Sequence, residues 1–442
     1  MRWYVSALAE ARTSTVEGLY KRELLPWMLL GMTCGLVEGA TVAVLVKKGY
    51  AGLVAPLWVN LAVAFVSGAP ALANLSSFAW ANLAHGRPRI GVLVTLQALF
   101  ALAVGLIAFA PLAEGGLLLT LGAVLLARTL WAGILTVRAS VWSANYPRYQ
   151  MARMTARLVL ATSLGIAAVA LAAGIVMDTH PAWARWLYVL ALFTGLAAAW
   201  RYRAVRVRRQ YQLLAAEAGE GRARSAFSLD MLREILRADP QFRRYMFWLG
   251  LYGSGNLMMN AQLVVLFSDR LGMGGLRQIV LLTVVPLLAM PLFMPAWARL
   301  FDGGHIIAYR ARQCWSLVAA MVLLTAAVAL RQPWLLWPGS LLVGISLAGA
   351  NLGWNLGHND FATPGRAQHY MGVHVTLTGV RGLLAPAAGM ACHELIERQW
   401  PGHGYLAMAL PLGLVTAGAF GFLSMRRLEE RMNSERRATE TT

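Results

Sequence analysis

Long apolar runs separated by short polar segments recur from residue 24 to residue 425. Each run is about 18–25 residues long, enough for one helix to cross a bilayer. The runs do not alternate apolar and polar residues, so the signature of a transmembrane β-barrel is missing. Charges fall between the runs and not along one face of them, which excludes a large soluble core. A backbone in lipid must satisfy its own hydrogen bonds, and a helix does so. Glycine and proline inside the runs are tolerated in such helices. The pattern predicts helices over 24–46, 52–74, 90–110, 115–137, 157–177, 185–200, 245–267, 277–297, 313–330, 334–356, 370–391 and 404–425. The expected fold class is an all-α polytopic membrane protein of about twelve transmembrane helices.

The polar segments divide the chain. Residues 1–23 carry Glu10, Glu17 and Glu23 and lack an apolar signal-peptide core, so they read as a cytoplasmic amphipathic segment. Residues 24–200 and 245–425 form two six-helix bundles. Between them, 201–244 is the longest polar stretch. It opens with Arg201, Arg203, Arg206, Arg208 and Arg209, continues through Glu217 and Glu220, and holds a surface helix near 228–238. Residues 426–442 are a cytoplasmic tail.

Charge changes the picture twice. The chain is 58% hydrophobic and 13% charged, against about 25% charged residues in soluble domains. Its net charge of +19 raises nucleic acid as a partner. The distribution argues against that. With both termini in the cytoplasm, 30 Lys and Arg fall in cytoplasmic segments and seven on the other side: Lys47, Lys48, Arg185, Arg270, Arg277, Arg331 and Arg398. That bias is a topology signal. The Arg-rich linker then lies against an anionic inner membrane surface. Cys34, Cys314 and Cys392 are scattered and form no CxxC pair, so no disulfide framework or zinc site is indicated.

One offset, 217 residues, relates the two halves. Ala79-Trp80-Ala81 matches Ala296-Trp297-Ala298, followed by Leu83 and Leu300, Gly86 and Gly303, and Ile90 and Ile307. Pro147 matches Pro364, Met154 matches Met371, and Gly165 matches Gly382. The repeat is parallel and makes the two bundles pseudo-symmetric.

The loops after the second and eighth helices read Ala81-Asn82-Leu83-Ala84-His85-Gly86-Arg87-Pro88-Arg89 and Ala298-Arg299-Leu300-Phe301-Asp302-Gly303-Gly304-His305. This repeated loop resembles the Gly-rich, charged motif of the Major Facilitator Superfamily. Asp302 occupies the family's acidic position. His85 replaces it in the first loop, and Pro88 stands where a glycine is usual. Arg128-Thr129-Leu130-Trp131-Ala132-Gly133 resembles the family's helix-four motif without the usual glutamine. Gly379, Gly382, Pro386 and Gly389 in helix eleven resemble the Gly/Pro pattern that antiporters of the family carry in helix five; helix five here keeps only Gly165 and Gly174. The resemblance implies an alternating-access transporter of small solutes, with His85, Arg87, Arg89 and Asp302 in its gating loops.

Three Asp, Glu, Lys or Arg side chains fall deep in the predicted spans: Glu38, Arg128 and Arg381. Such groups are costly in lipid and face a cavity or a partner. A carboxylate that moves between a buried, unpaired setting and one beside an arginine alternately takes up and releases a proton. Glu38 is therefore the candidate proton carrier, with Arg128 resetting it. A static ion pair and direct substrate contact by Glu38 are the competing readings. Arg381 makes the embedded charge net positive, which favours an anionic or zwitterionic solute; the alternative is that it caps helix carbonyls. Asn256 and Asn260, and Asn351 and Asn355, lie one turn apart on a shared helix face. They suit substrate hydrogen bonding or interhelical bonds. Trp131 and Trp354, with Trp27 and Trp58, are candidate apolar walls. His358, His369 and His374, with the Met28/Met32 and Met290/Met294 spacings, leave a copper transporter open.

No GxxxxGK[ST] motif is present, so a cation gradient is the expected drive. The reading is a proton-coupled secondary transporter of the inner membrane, a monomer with no cofactor, no catalytic residue and no nucleic-acid partner. A non-transporting sensor or assembly factor is its rival.

Overall fold

The computed structural model describes residues 2–219, 229–362 and 366–440. Glu220, Pro364 and the side chain of Glu10 lie outside the described part. Seventeen helices follow one another, and no strand occurs among the described residues. The first eight are α1 (Arg2–Gly35), α2 (Gly39–Gly49), α3 (Pro56–Ala73), α4 (Ser77–Ala84), α5 (Arg89–Leu106), α6 (Glu114–Asn145), α7 (Arg148–Thr179) and α8 (Ala184–Tyr202). The intervening polar stretch holds α9 (Gln210–Gly219) and α10 (Leu229–Ala238). Then come α11 (Pro240–Asp269), α12 (Gly275–Ile279), α13 (Val285–Asp302), α14 (Ile306–Ala329), α15 (Leu336–Leu356), α16 (Ala367–Gln399) and α17 (Ala409–Glu440).

Among the described residues, eleven helical segments are long and apolar enough to cross a membrane. The remaining expected span, 245–267, lies inside the 30-residue α11. Its run carries Asn256, Asn260, Gln262 and several glycines, which lower its hydropathy without shortening it.

One expectation about a span is corrected. The run 24–46 predicts a continuous helix, but α1 stops at Gly35 and α2 starts at Gly39. Hydropathy cannot register such a break, because Leu36 and Val37 are as apolar as the helix on either side. The second irregularity is a π-helical turn over Val280–Val284 between α12 and α13. Pro286 follows it, and a proline frees a carbonyl one turn earlier, which a widened turn accommodates.

The chain forms two compact units: Met1–Val42 with Ala73–Ala226, and Ala43–Leu72 with Phe227–Thr442. The boundary falls inside α2. In the first unit, α1 packs on α7 through glycines. A Cβ at Gly31 would overlap the Thr162 carbonyl, and one at Gly165 would overlap the Met28 carbonyl. Small residues at such crossings let backbones approach closely.

The 217-residue repeat has a structural counterpart inside each unit. Trp80 Nε1 donates to the Thr129 carbonyl at 2.9 Å, and its ring lies against Gly133. Trp297 Nε1 donates to the Ile345 carbonyl at 2.8 Å, and its ring lies against Gly349. In both units the accepting carbonyl stands four residues before the glycine, so one turn of helix presents carbonyl and flat surface together.

In the second unit, α11 begins with Asp239 as its N-cap and Pro240 as its first residue. The Asp239 carboxylate accepts from the Phe242 N–H at 2.8 Å, a pairing that satisfies a free N–H at the helix start. The surface helix α10 turns Met231, Leu232, Ile235 and Leu236 toward the core of this unit.

Candidate functional site

Glu38 sits in the break between α1 and α2. Gly39 makes the break possible, with φ of +39°, a conformation that L side chains rarely adopt. The carboxylate turns to α6, where Arg128 Nη1 donates to Glu38 Oε2 at 2.6 Å. The Cys34 thiol donates to the same oxygen at 3.3 Å, and Arg128 Nη1 lies 3.6 Å from Cys34 Sγ. The pair is asymmetric: the Arg128 side chain is 7% exposed and that of Glu38 is 32% exposed. The cation is sealed in the bundle while its carboxylate keeps an open side. Arg128 Nε has no hydrogen-bond partner among the described residues.

In the second unit, Arg381 on α16 donates through Nη1 to the Leu249 carbonyl of α11 and through Nη2 to Thr378 Oγ1 at 2.6 Å. Its guanidinium lies on Gly253, where any side chain would collide with it. Both ends of the guanidinium are in use on protein atoms, while Nε stays unpartnered. Asn256 and Asn260 are half-buried on α11 and make no side-chain hydrogen bond among the described residues. Asn351 and Asn355 on α15 are exposed, and Asn355 Nδ2 donates to Asn351 Oδ1 at 2.8 Å, so each is the other's partner. Trp354 meets the ring of His374 edge-on, with centroids 5.5 Å apart. Both nitrogens of the buried His374 lack hydrogen-bond partners among the described residues. Trp131 is buried in the first unit against Phe100, at 5.4 Å between centroids.

The residues expected in gating loops differ in their contacts. Arg89 forms a buried ion pair with Glu217 of α9, and the Gly86 N–H donates to the same carboxylate at 2.8 Å. Arg87 is exposed. Asp302 is the exposed last residue of α13. The first loop, which has His85 at its acidic position, thus takes a carboxylate from α9.

Besides Arg89, three buried charged groups in the helices are absent from the sequence count of embedded charge, which is corrected accordingly. Glu23 on α1 is completely buried and accepts four hydrogen bonds: from Trp27 Nε1 at 3.1 Å, Trp142 Nε1 at 2.9 Å, the Tyr146 hydroxyl at 2.9 Å and the Tyr202 hydroxyl at 3.0 Å. Arg138 stacks over the Trp142 ring at 4.1 Å. Burial, together with the Glu23 carboxylate, pushes the Tyr146 phenol above its ordinary range, so it keeps the proton it donates. Arg310 on α14 is buried and donates to Gln313 Oε1 at 2.9 Å. Lys47 at the end of α2 is buried, donating to Asn60 Oδ1 at 2.8 Å and to Asp269 Oδ2 at 2.7 Å; Asn60 in turn donates to Glu394 at 2.6 Å. All three lie at the edges of apolar runs, where run length places the helix end too far in. The spacing of Glu23 and Trp27, one turn apart, was the available signal for the first.

Membrane-length helices, with a break that carries an ion pair, define a polytopic membrane protein. The family profile of the Major Facilitator Superfamily matches residues 27–386, and the chain belongs to that family. Its fold is similar to those of a point mutant of the nucleoside transporter NupG, a D-xylose-proton symporter and an auto-inhibited POT family peptide transporter. The TM-scores are 0.71, 0.69 and 0.64, at 10%, 11% and 13% sequence identity. The matches cover 92%, 93% and 91% of this chain and 99%, 97% and 96% of the others. No curated protein matches the chain significantly.

Proposed function

We propose that the protein is a secondary active transporter that moves a small anionic or zwitterionic organic solute across the inner membrane by alternating access, coupled to protons. The carrying observation is the ion pair of Glu38 and Arg128 at the broken helix. An open-sided carboxylate held by a sealed arginine can be released from it when the helix break flexes. A proton then takes the place of the arginine, and the next rearrangement reverses the exchange. Charge supports the solute class: neither Arg310 nor Arg381 has an ion-pair partner among the described residues, and an unpaired interior cation favours a negative group. One fold neighbour is described as a proton symporter. The basic bias puts both termini in the cytoplasm.

The test is uptake by proteoliposomes under an imposed pH gradient, using solutes first selected by thermal shift at two pH values. A ligand that binds the folded state raises its melting temperature. Glu38→Gln should abolish gradient-driven accumulation while leaving solute exchange at zero gradient. Unchanged accumulation in Glu38→Gln would leave the pair a static tie between α1 and α6. Absence of any flux would favour a sensor or assembly factor.

A further inference from the structure

In the second unit α11 and α17 run antiparallel, and the N-terminal part of α11 with the C-terminal half of α17 flanks an open groove of about 450 Å³. On α11 the groove is lined first by Arg243 and Arg244 and then, one turn deeper, by Phe247 and Trp248. On α17 it is lined by Ser424, Met425 and Leu428. The α11 wall therefore runs from cationic at the helix start to apolar one turn deeper, and the α17 wall opposite it is mostly apolar. α17 packs Gly421 against the Trp248 indole, which a Cβ there would overlap. Phe247 is 58% exposed.

Neither arginine has an ion-pair partner among the described residues. Arg244 makes no hydrogen bond or ion pair among the described residues, and Arg243 gives one bond, to the Leu236 carbonyl at 3.1 Å. The neighbouring carboxylates are engaged elsewhere. Asp239 caps the Phe242 N–H and accepts from Tyr370, Glu429 accepts from Gln241, and Glu430 pairs with Arg426. Two arginines in the first turns of a helix also oppose the helix dipole, so an anion at this spot relieves both. Basic pockets between transmembrane helices at the membrane surface suit anionic headgroups.

We propose that this groove is a binding site for an anionic phospholipid, its phosphate on Arg243 and Arg244 and an acyl chain along Phe247, Trp248 and Met425. The occupant carries both chemistries in the order the groove presents them, which a free phosphate or an apolar peptide does not. Native mass spectrometry of the full chain tests this. Phosphatidylglycerol, phosphatidylcholine with the same acyl chains, and glycerol phosphate alone are added in turn. One phosphatidylglycerol should be retained in preference to phosphatidylcholine, and glycerol phosphate should not be retained. Arg244→Gln should weaken retention about fivefold, and adding Arg243→Gln should weaken it by about as much again. Arg244→Lys should keep most of it. Arg244 has no hydrogen-bond or ion-pair partner to lose among the described residues, so its single variant serves if the double variant fails to fold. Equal retention in Arg244→Gln and wild type, equal retention of the two lipids, or glycerol phosphate binding as well as the lipid would each overturn the proposal.

Discussion

Glu38 and Arg128 are 90 residues apart in the chain and 2.6 Å apart in space. The contact exists because α1 gives up its helix for three residues at Leu36–Glu38, letting a carboxylate leave the helix surface and reach α6. A carboxylate at the same place on a continuous helix would keep a fixed direction. The break gives this one a hinge beside it.

Arg128→Gln should therefore mirror Glu38→Gln only in part. Both should lose gradient-driven accumulation. Arg128→Gln leaves a carboxylate without its cation, whereas Glu38→Gln leaves a buried cation unpaired. Removing one member of a buried pair costs about 3–5 kcal/mol, so Glu38→Gln should show the larger fall in melting temperature, because its orphaned partner is the more deeply buried group. Equal melting temperatures in the two variants would contradict this.

Glu23 should be a stability residue. Its carboxylate serves four donors from α1, α6, the residue after α6, and α8. Glutamine offers one acceptor oxygen in place of two and adds donors of its own. Glu23→Gln should cost on the order of 3 kcal/mol, and Tyr202→Phe about 1 kcal/mol, because an unmet buried polar group costs more than a lost bond. Thermal unfolding followed by near-ultraviolet dichroism checks both, since Trp27 and Trp142 lie in the cluster. A neutral Glu23→Gln would show that the cluster does not hold these helices together.

Lys47 should control opening of the ends of α2 and α11. It is bonded to Asp269 and Asn60, in a chain that continues to Glu394. Charge-assisted bonds of this kind contribute about 1.5–3 kcal/mol, so Lys47→Gln should speed amide exchange over 43–49 and 266–272 by about tenfold or more. The reversed pair, Lys47→Asp with Asp269→Lys, should recover part of the protection. Exchange unchanged in Lys47→Gln would rule the network out as a closure.

Gly382 and Gly413 should respond in opposite directions to alanine. A Cβ at Gly382 would overlap Ala71 and the Leu72 backbone, whereas one at Gly413 meets nothing. Gly382→Ala should destabilise by about 1–3 kcal/mol through overpacking. Gly413→Ala should stabilise by up to about 1 kcal/mol through helix propensity. Melting temperatures of the two variants in one detergent decide the matter.

Much of the fold follows from run length alone. Apolar stretches of spanning length leave the backbone one economical structure, and most of each predicted run is helical, the break at Leu36–Glu38 being the main departure. The offset of 217 residues anticipated more than kinship: it picked out Trp80 and Trp297, the two indoles that reach equivalent carbonyls. The pairing of Glu38 with Arg128 was also legible, because an embedded acid and an embedded base are each too costly alone. The break beside Glu38 was not. Glu23 was legible only through Trp27 one turn away, since its other three donors come from distant parts of the chain. Glu217 supplying the first loop's missing acid was beyond any local pattern, because the two segments are more than a hundred residues apart.

The sequence by itself determined that this chain spans a membrane, that its halves are relatives, and which charges lie deep within its apolar runs, because each of these is a matter of hydropathy read along one dimension. Only the tertiary structure decided which side chains those charges meet. It sealed Arg128 while leaving Glu38 open on one side, set Arg381 on a backbone carbonyl, and gave Glu23 its four donors. Such partners are chosen by where helices cross, and crossings depend on glycines such as Gly31 and Gly165, whose effect appears only when the second helix is in place.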